Sequence, residues 1–286
     1  MQILDGKFLA AQIKAEIKSE VDLILSEGKR APHLVAVLIG SDPASQTYVK
    51  SKAKHAEAVG IRSSVYELDA STTQAQLIEL IWSLNQDDSV DGYIVQLPLP
   101  KHLDESKIIE AIAPHKDVDG FHPVNLGLMV AGNQNAFIPA TPFGILEIFR
   151  RYSISTTGKK VAVIGRSLIV GTPISILMSR NTEPGNATVT LLHSKSNHVK
   201  EVCLDSDIII AAIGKKDFVT ADMVKEGAVI IDVGINRVDG KIYGDVDFEN
   251  VAAKCSAITP VPGGVGLLTI TSLLQNTLKS YKLKQS

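Results

Sequence analysis

The chain has 286 residues, 45% of them apolar, and 29 basic side chains set against 31 acidic ones leave a net charge of −2. That is enough length for two domains or one large one, and enough apolar content for a substantial core. The near-neutral balance excludes a general attraction for nucleic acid, and the longest apolar run, 208–213, is too short to span a bilayer.

The opening stretch MQILDGKFLA has no apolar leader core, so no targeting signal and a cytoplasmic location are expected. Ile13, Ile17, Val21, Ile24 and Leu25 recur at helical spacing, and Gly28 stops that helix. LVAVLI, 34–39, is an unbroken apolar run of the kind found in strands buried on both faces. A helix to about Gly60, a strand at 61–68, a helix over about 73–85 and a strand at 93–96 follow. After Pro139 the alternation restarts, with strands at 161–164, 188–192, 208–211 and 229–232, a hairpin turning at Asp239-Gly240, and a last helix over about 267–283. Strands alternating with helices imply parallel sheets. The fold class expected is therefore α/β, with two α/β domains and a ligand cleft between them.

Cys203 and Cys255 form no C-x-x-C and suit a reducing compartment. The seven histidines lack a spacing such as H-E-x-x-H, so no metal is expected.

In VAVIGRSLIVGTP an apolar strand runs into Gly165 where a dinucleotide-binding fold carries G-x-G-x-x-G. Ser167 occupies the second glycine position and Val170 the third, with Gly171 one place late. Alone, the stretch reads either as a nucleotide loop or as a plain strand-to-helix turn. The next strand, TVTLLHSKS, ends without the acid that binds a ribose 2′-hydroxyl; His193, Ser194 and Lys195 stand there, and Arg166 projects from the first loop. Cations and hydroxyls in place of an acid suit a 2′-phosphate, hence NADP over NAD. Lys195 reads rather as a solvated surface charge, whereas Arg166 lies inside the loop.

The first half carries the candidate chemistry. Ser45 or a neighbour can cap the helix within IGSDPASQTYVKSKAKHAEAVG. Tyr48 and Lys52 are four apart and share a helix face. Placed near a helix N-terminus, Lys52 would lose its proton more readily and suit a base or proton relay; spacing alone also allows a surface lysine beside Lys50 and Lys54. Gln96 ends the strand of DGYIVQLPLPKH, before a turn held by Pro98 and Pro100. HKDVDGFHPVN supplies Asp117 and Asp119, one of which can accept paired N–H donors from a heterocycle edge.

GSDPASQTYVKSK, VQLPLP, KDVDGFHPVN, GRSLIVGTP, DVGIN, GDVDF and PVPGGVG, in this order, resemble the bifunctional methylenetetrahydrofolate dehydrogenase/methenyltetrahydrofolate cyclohydrolase (FolD) family across nearly the whole chain. The resemblance implies NADP-dependent oxidation of 5,10-methylenetetrahydrofolate to the methenyl cation and hydrolysis of that cation to 10-formyltetrahydrofolate. It implies a folate-binding catalytic domain at 1–139 completed by a C-terminal helix at 264–286, and a Rossmann-type NADP-binding domain at 140–263. By resemblance Lys52 is the main catalytic group, with Tyr48, Gln96 and Asp119 beside it. Tyr48, Gln96, Leu97, Pro98, Asp119, Pro262 and Gly263 would bind the folate. Gly165, Arg166, Ser167, Ser194 and Ile235 would line the NADP site. No metal takes part, and a homodimer through the second domain is implied, with no nucleic acid or membrane partner. Alternatives are a dehydrogenase-only member or a non-catalytic NADP- or folate-binding protein. The chain departs from the family pattern at Leu267-Leu268, where Pro-Met is common, and at Ala140, where cysteine is common.

Overall fold

The chain, here a computed structural model, is described over residues 1–285. It opens with β1 (Gln2–Ile3) and α1 (Gly6–Ser26), then alternates through β2 (His33–Ile39), α2 (Pro43–Ala58), β3 (Arg62–Leu68), α3 (Gln74–Gln86) and β4 (Gly92–Val95) to the short helices α4 (Glu105–Ala111) and α5 (Pro123–Val130). β2 is central in a parallel sheet of order β3-β2-β4 and is buried at His33 and at all six positions of its apolar run. β3 is an edge strand and stays largely exposed. Leu77, Ile81 and Leu84 of α3 pack on Val35, Val37 and Tyr93 of the sheet. A capping box starts α3: the Thr73 hydroxyl accepts from Gln76 N, and Gln76 Oε1 accepts from Thr73 N. At its other end the buried Lys116 ammonium donates to the carbonyls of Leu84 and Asp87 at 2.7 Å each.

The second half comprises α6 (Ala140–Arg151), β5 (Lys160–Ile164), α7 (Gly171–Ser179), β6 (Thr188–Leu192), α8 (Val199–Asp205), β7 (Ile208–Ala211), β8 (Val229–Asp232), the hairpin β9 (Asn236–Val238) and β10 (Lys241–Tyr243), α9 (Phe248–Val251), β11 (Ala257–Ile258) and α10 (Val265–Gln285). The hairpin turns where both Asp239 and Gly240 have positive φ, 49° and 76°. Six strands form one parallel sheet of order β1-β11-β8-β7-β5-β6. The strand order reverses at β5, which lies between β6 and β7; in open α/β sheets ligands bind outside the carboxyl ends of the strands at such a point.

Two compact units result: Gln12–Ala140 with the segment from Ile270 onward, and Thr141–Thr269 with Met1–Ala11. The boundaries differ from 1–139, 140–263 and 264–286 at both ends. The first eleven residues join the second unit because β1 extends its sheet by pairing with β11. The C-terminal helix is divided near Thr269, not at its start. In the first unit Asn276 donates to the carbonyls of Val118 and Ile138, at 2.8 and 3.0 Å. In the second, Leu268 packs over Gly144, whose Cβ position lies 2.8 Å from Leu268 Cβ. Cys203 and Cys255 are free and buried, and burial pushes both thiols up to about 11. No described helix is long and apolar enough to cross a membrane.

Candidate active site

In the first unit, α2 presents Tyr48 and Lys52 on one face. Its N-cap is Asp42, whose carboxylate accepts from Ser45 N at 2.8 Å, so Ser45 is capped and does not cap. Lys52 is the tenth residue of the helix, roughly 13 Å along its axis from the first. A helix N-terminus acts over about one turn, so the dipole does not account for the chemistry of this lysine. Its partner does: Lys52 Nζ donates to Gln96 Oε1 at 3.1 Å, just past the end of β4, while Gln96 Nε2 donates to Leu97 O at 2.7 Å. The second bond fixes which end of the amide faces the lysine. A neutral acceptor thus orients the amine.

KDVDGFHPVN separates into structural and open groups. Asp117 is buried and accepts from Gly120 N, His122 N and Asn125 Nδ2 at 3.1, 2.8 and 2.9 Å. Three protein donors occupy it and it is buried, which puts it out of a ligand's reach. Asp119 takes no hydrogen bond within the described protein. It shares a small pocket with Leu97, Ile109 and Phe121. Burial raises its carboxyl above the usual range, the Lys52 charge pulls it back, and Asp117 reinforces the rise. A partly buried carboxyl group without a partner is poised to bind polar N–H groups of a ligand. Tyr48, 41% exposed, and the Leu97–Pro98 turn complete the residues that the sequence placed in this unit.

The second unit carries the glycine turn. Gly165 has φ +117°, and a Cβ there would lie 2.2 Å from Ala212 O. The role of the third fingerprint glycine falls to Gly171, where a Cβ would stand 1.9 Å from Gly165 O. Helix α7 therefore closes on β5 although its glycine is one place late. Ser167 Oγ accepts from Val170 N at 3.2 Å, leaving the hydroxyl proton available to an incoming anion. Arg166 is exposed, and among the described residues no carboxylate pairs with it. Gly165 N donates to Leu192 O at 2.8 Å, which sets the start of this loop beside the end of β6, where Ser194 is exposed. Ile235, 46% exposed, follows β8. Pro262 and Gly263 belong to this unit and follow β11, with Gly263 at φ +108°.

Sequence reasoning missed Asp232 and Asp245. Both are buried and tie together the backbone beyond β7 and β8. The visible signal was an aspartate at the head of DVGIN, two residues before Gly234, and another inside GDVDF, directly after Gly244.

These features define a class: a two-unit α/β protein with a Rossmann-type nucleotide-binding sheet and a lysine–amide pair in its other unit. Residues 4–119 match the catalytic domain of tetrahydrofolate dehydrogenase/cyclohydrolase, and residues 139–285 its NAD(P)-binding domain. The bifunctional protein FolD of Cytophaga hutchinsonii is 54% identical over 291 residues, covering 99% of this chain and all of that one. The crystal structure of FolD from Campylobacter jejuni is 48% identical with a TM-score of 0.96, covering 99% of each chain. The FolD of Trypanosoma brucei, solved with NADP and an inhibitor, is 35% identical with a TM-score of 0.92, covering 99% of this chain and 98% of that one. The chain belongs to the tetrahydrofolate dehydrogenase/cyclohydrolase family.

Proposed function

We propose that Lys52 is the proton-handling group of a bifunctional FolD enzyme, with Gln96 orienting it. The enzyme oxidises 5,10-methylenetetrahydrofolate with NADP and hydrolyses the methenyl product to 10-formyltetrahydrofolate. The observation that carries the residue assignment is the 3.1 Å bond from Lys52 Nζ to Gln96 Oε1, beside an Asp119 that feels the Lys52 charge and accepts no hydrogen bond from the described residues.

The Gly165 turn fits NADP because it leaves β5 where the strand order reverses, and the Arg166 guanidinium, which pairs with no carboxylate among the described residues, suits a phosphate. NADP, when bound, accepts the hydride. The chain's own residues then have separate tasks. Arg166, Ser167 and Ser194 bind the cofactor's phosphates, and Ile235 lines its site mainly through its backbone. Asp119 holds the pterin edge through its carboxyl, Tyr48 positions the ring, and Leu97, Pro98, Pro262 and Gly263 border the folate. The folate nitrogen lone pair drives hydride loss, so Lys52 is not needed as a base in that step. In hydrolysis the methenyl cation would be repelled by an ammonium; as a neutral amine, Lys52 removes a proton from the attacking water.

By resemblance to its family the chain is assigned a folate-binding first unit and a homodimer formed through the second, which sedimentation would test. A cytoplasmic location belongs to the same reading.

The direct test mixes protein, methylenetetrahydrofolate and NADP and follows methenyl absorbance. Growth followed by protein-dependent decay supports both activities. Growth with only spontaneous decay would mark a dehydrogenase alone, and no growth a binding protein.

A further inference from the structure

Two carboxylates tie DVGIN to GDVDF. Asp245 is fully buried, and each of its oxygens accepts two N–H donors. Oδ2 takes Ile213 N and Gly214 N at 2.7 and 3.0 Å; Oδ1 takes Lys215 N at 2.8 Å and Asn236 Nδ2 at 2.9 Å. The first three donors form the loop leaving β7, and the fourth sits beyond β8. Asp232 answers from the other side: Oδ1 accepts from Gly234 N and Asp245 N at 3.0 and 2.9 Å, and Oδ2 from Val246 N at 3.0 Å. The glycines follow from this packing. A Cβ on Gly234 would lie 2.2 Å from Asp245 Oδ1, and one on Gly244 would lie 1.8 Å from Asp232 Oδ2.

The braced segments are those that meet the glycine turn. Ala212, just before the three donors, has its carbonyl against Gly165, and its N–H donates to Ile164 O at 2.8 Å. Ile235 lies between Gly234 and Asn236, both held by these carboxylates. These loops leave adjacent parallel strands at their carboxyl ends, where such sheets take ligands.

We infer that Asp245 is a positioning residue for the nucleotide site: it touches no ligand, and it holds the loops after β7 and β8 in the one arrangement that accepts NADP. This rests on the assignment of NADP to the second unit. No neutral isostere replaces it. An asparagine offers one oxygen, so its NH₂ would face two N–H donors wherever it turned. The loops would then spend only part of their time in the competent arrangement, and apparent affinity falls by that fraction.

The test measures NADP binding directly, by titration of the full-length protein, for the wild type and Asp245→Asn. It also measures steady-state KM and kcat for the dehydrogenase, and hydrolysis of purified methenyltetrahydrofolate without cofactor. The expected result is an NADP Kd and KM raised about tenfold or more, dehydrogenase kcat at saturating NADP lowered much less, and hydrolysis within about twofold of wild type, since Lys52 and Gln96 lie in the other unit. A brace serving the fold alone would lower the melting temperature and leave the NADP Kd unmoved; that result overturns the inference. Should Asp245→Asn fail to fold, Asn236→Ala removes one donor at a less buried position and is expected to raise the NADP Kd about threefold; an unchanged Kd there overturns the inference as well. A wild-type protein that does not bind NADP would instead sink the cofactor assignment beneath it, and the wild-type titration alone separates that failure from the others.

Discussion

Arg166 and Asp232 show how much a residue's surroundings decide. Arg166 is exposed and among the described residues has no carboxylate partner, so its charge is available to a ligand. Removing a hydrogen bond to a charged group should weaken NADP binding about tenfold or more, so Arg166→Ala is expected to raise the NADP Kd by that factor and affect NAD far less. Equal losses for both cofactors in parallel titrations would place Arg166 away from the 2′-phosphate. Asp232 titrates unusually. Burial, the largest cause, pushes its carboxyl up to about 6; the N–H groups of Asp245, Val246 and Gly234 pull it down, and the Asp245 charge raises it again. Between about pH 4 and 6 the folded protein keeps a proton that the unfolded chain has released. This group's contribution to stability is therefore fully present below about pH 4 and lost as pH rises through about 6. In urea unfolding, Asp232→Asn should remove that part of the pH dependence; an identical pH slope in both proteins would contradict the shift. At this scale the sequence was partly readable. Lys52, Gln96 and Arg166 could be singled out, but spacing could not tell Asp117 from Asp119, because which carboxylate is consumed by Gly120, His122 and Asn125 depends on how the loop folds.

Among the elements, the regular ones were legible because their causes are local. The apolar run 34–39 of β2 and the Asp239-Gly240 turn each carry their signal within a few residues. The position of Lys52 along α2 was less so, since the helix begins at Pro43 behind the Asp42 cap and leaves the lysine beyond the reach of the N-terminal dipole. The attachment of α10 could not be read locally at all. Its Asn276 is buried and satisfies two carbonyls more than a hundred residues away in sequence. Asn276→Ala would leave those carbonyls without a donor, at a cost of roughly 1–3 kcal/mol each if no water replaces it. A clear fall in the chemical-denaturation midpoint with NADP affinity unchanged is expected; an unmoved midpoint would show that the helix is held without this side chain.

Across the whole molecule, two runs of alternating strand and helix announced two α/β units, and the description of the second as Rossmann-type holds in its parallel sheet, in the reversal of strand order at β5 and in its match to an NAD(P)-binding domain. The chain ends were not legible, because β1 is two exposed residues, too short for any periodicity, and acquires its identity only by pairing with β11. The division has a functional consequence. Lys52 and Gln96 belong to one unit, and Gly165, Arg166, Ser194 and Ile235 to the other, so proton handling and cofactor binding should be separable by substitution. Lys52→Met keeps side-chain length and helix propensity and removes the amine. It should leave folding and NADP affinity nearly intact, and hydride transfer should partly survive because the site mainly orients two reactants. The decisive measurement supplies purified methenyltetrahydrofolate to the wild type and to Lys52→Met and subtracts spontaneous hydrolysis. If Lys52 is the proton-handling group, the variant's hydrolysis falls by about 10²–10⁴; a rate within a few-fold of wild type would contradict the assignment.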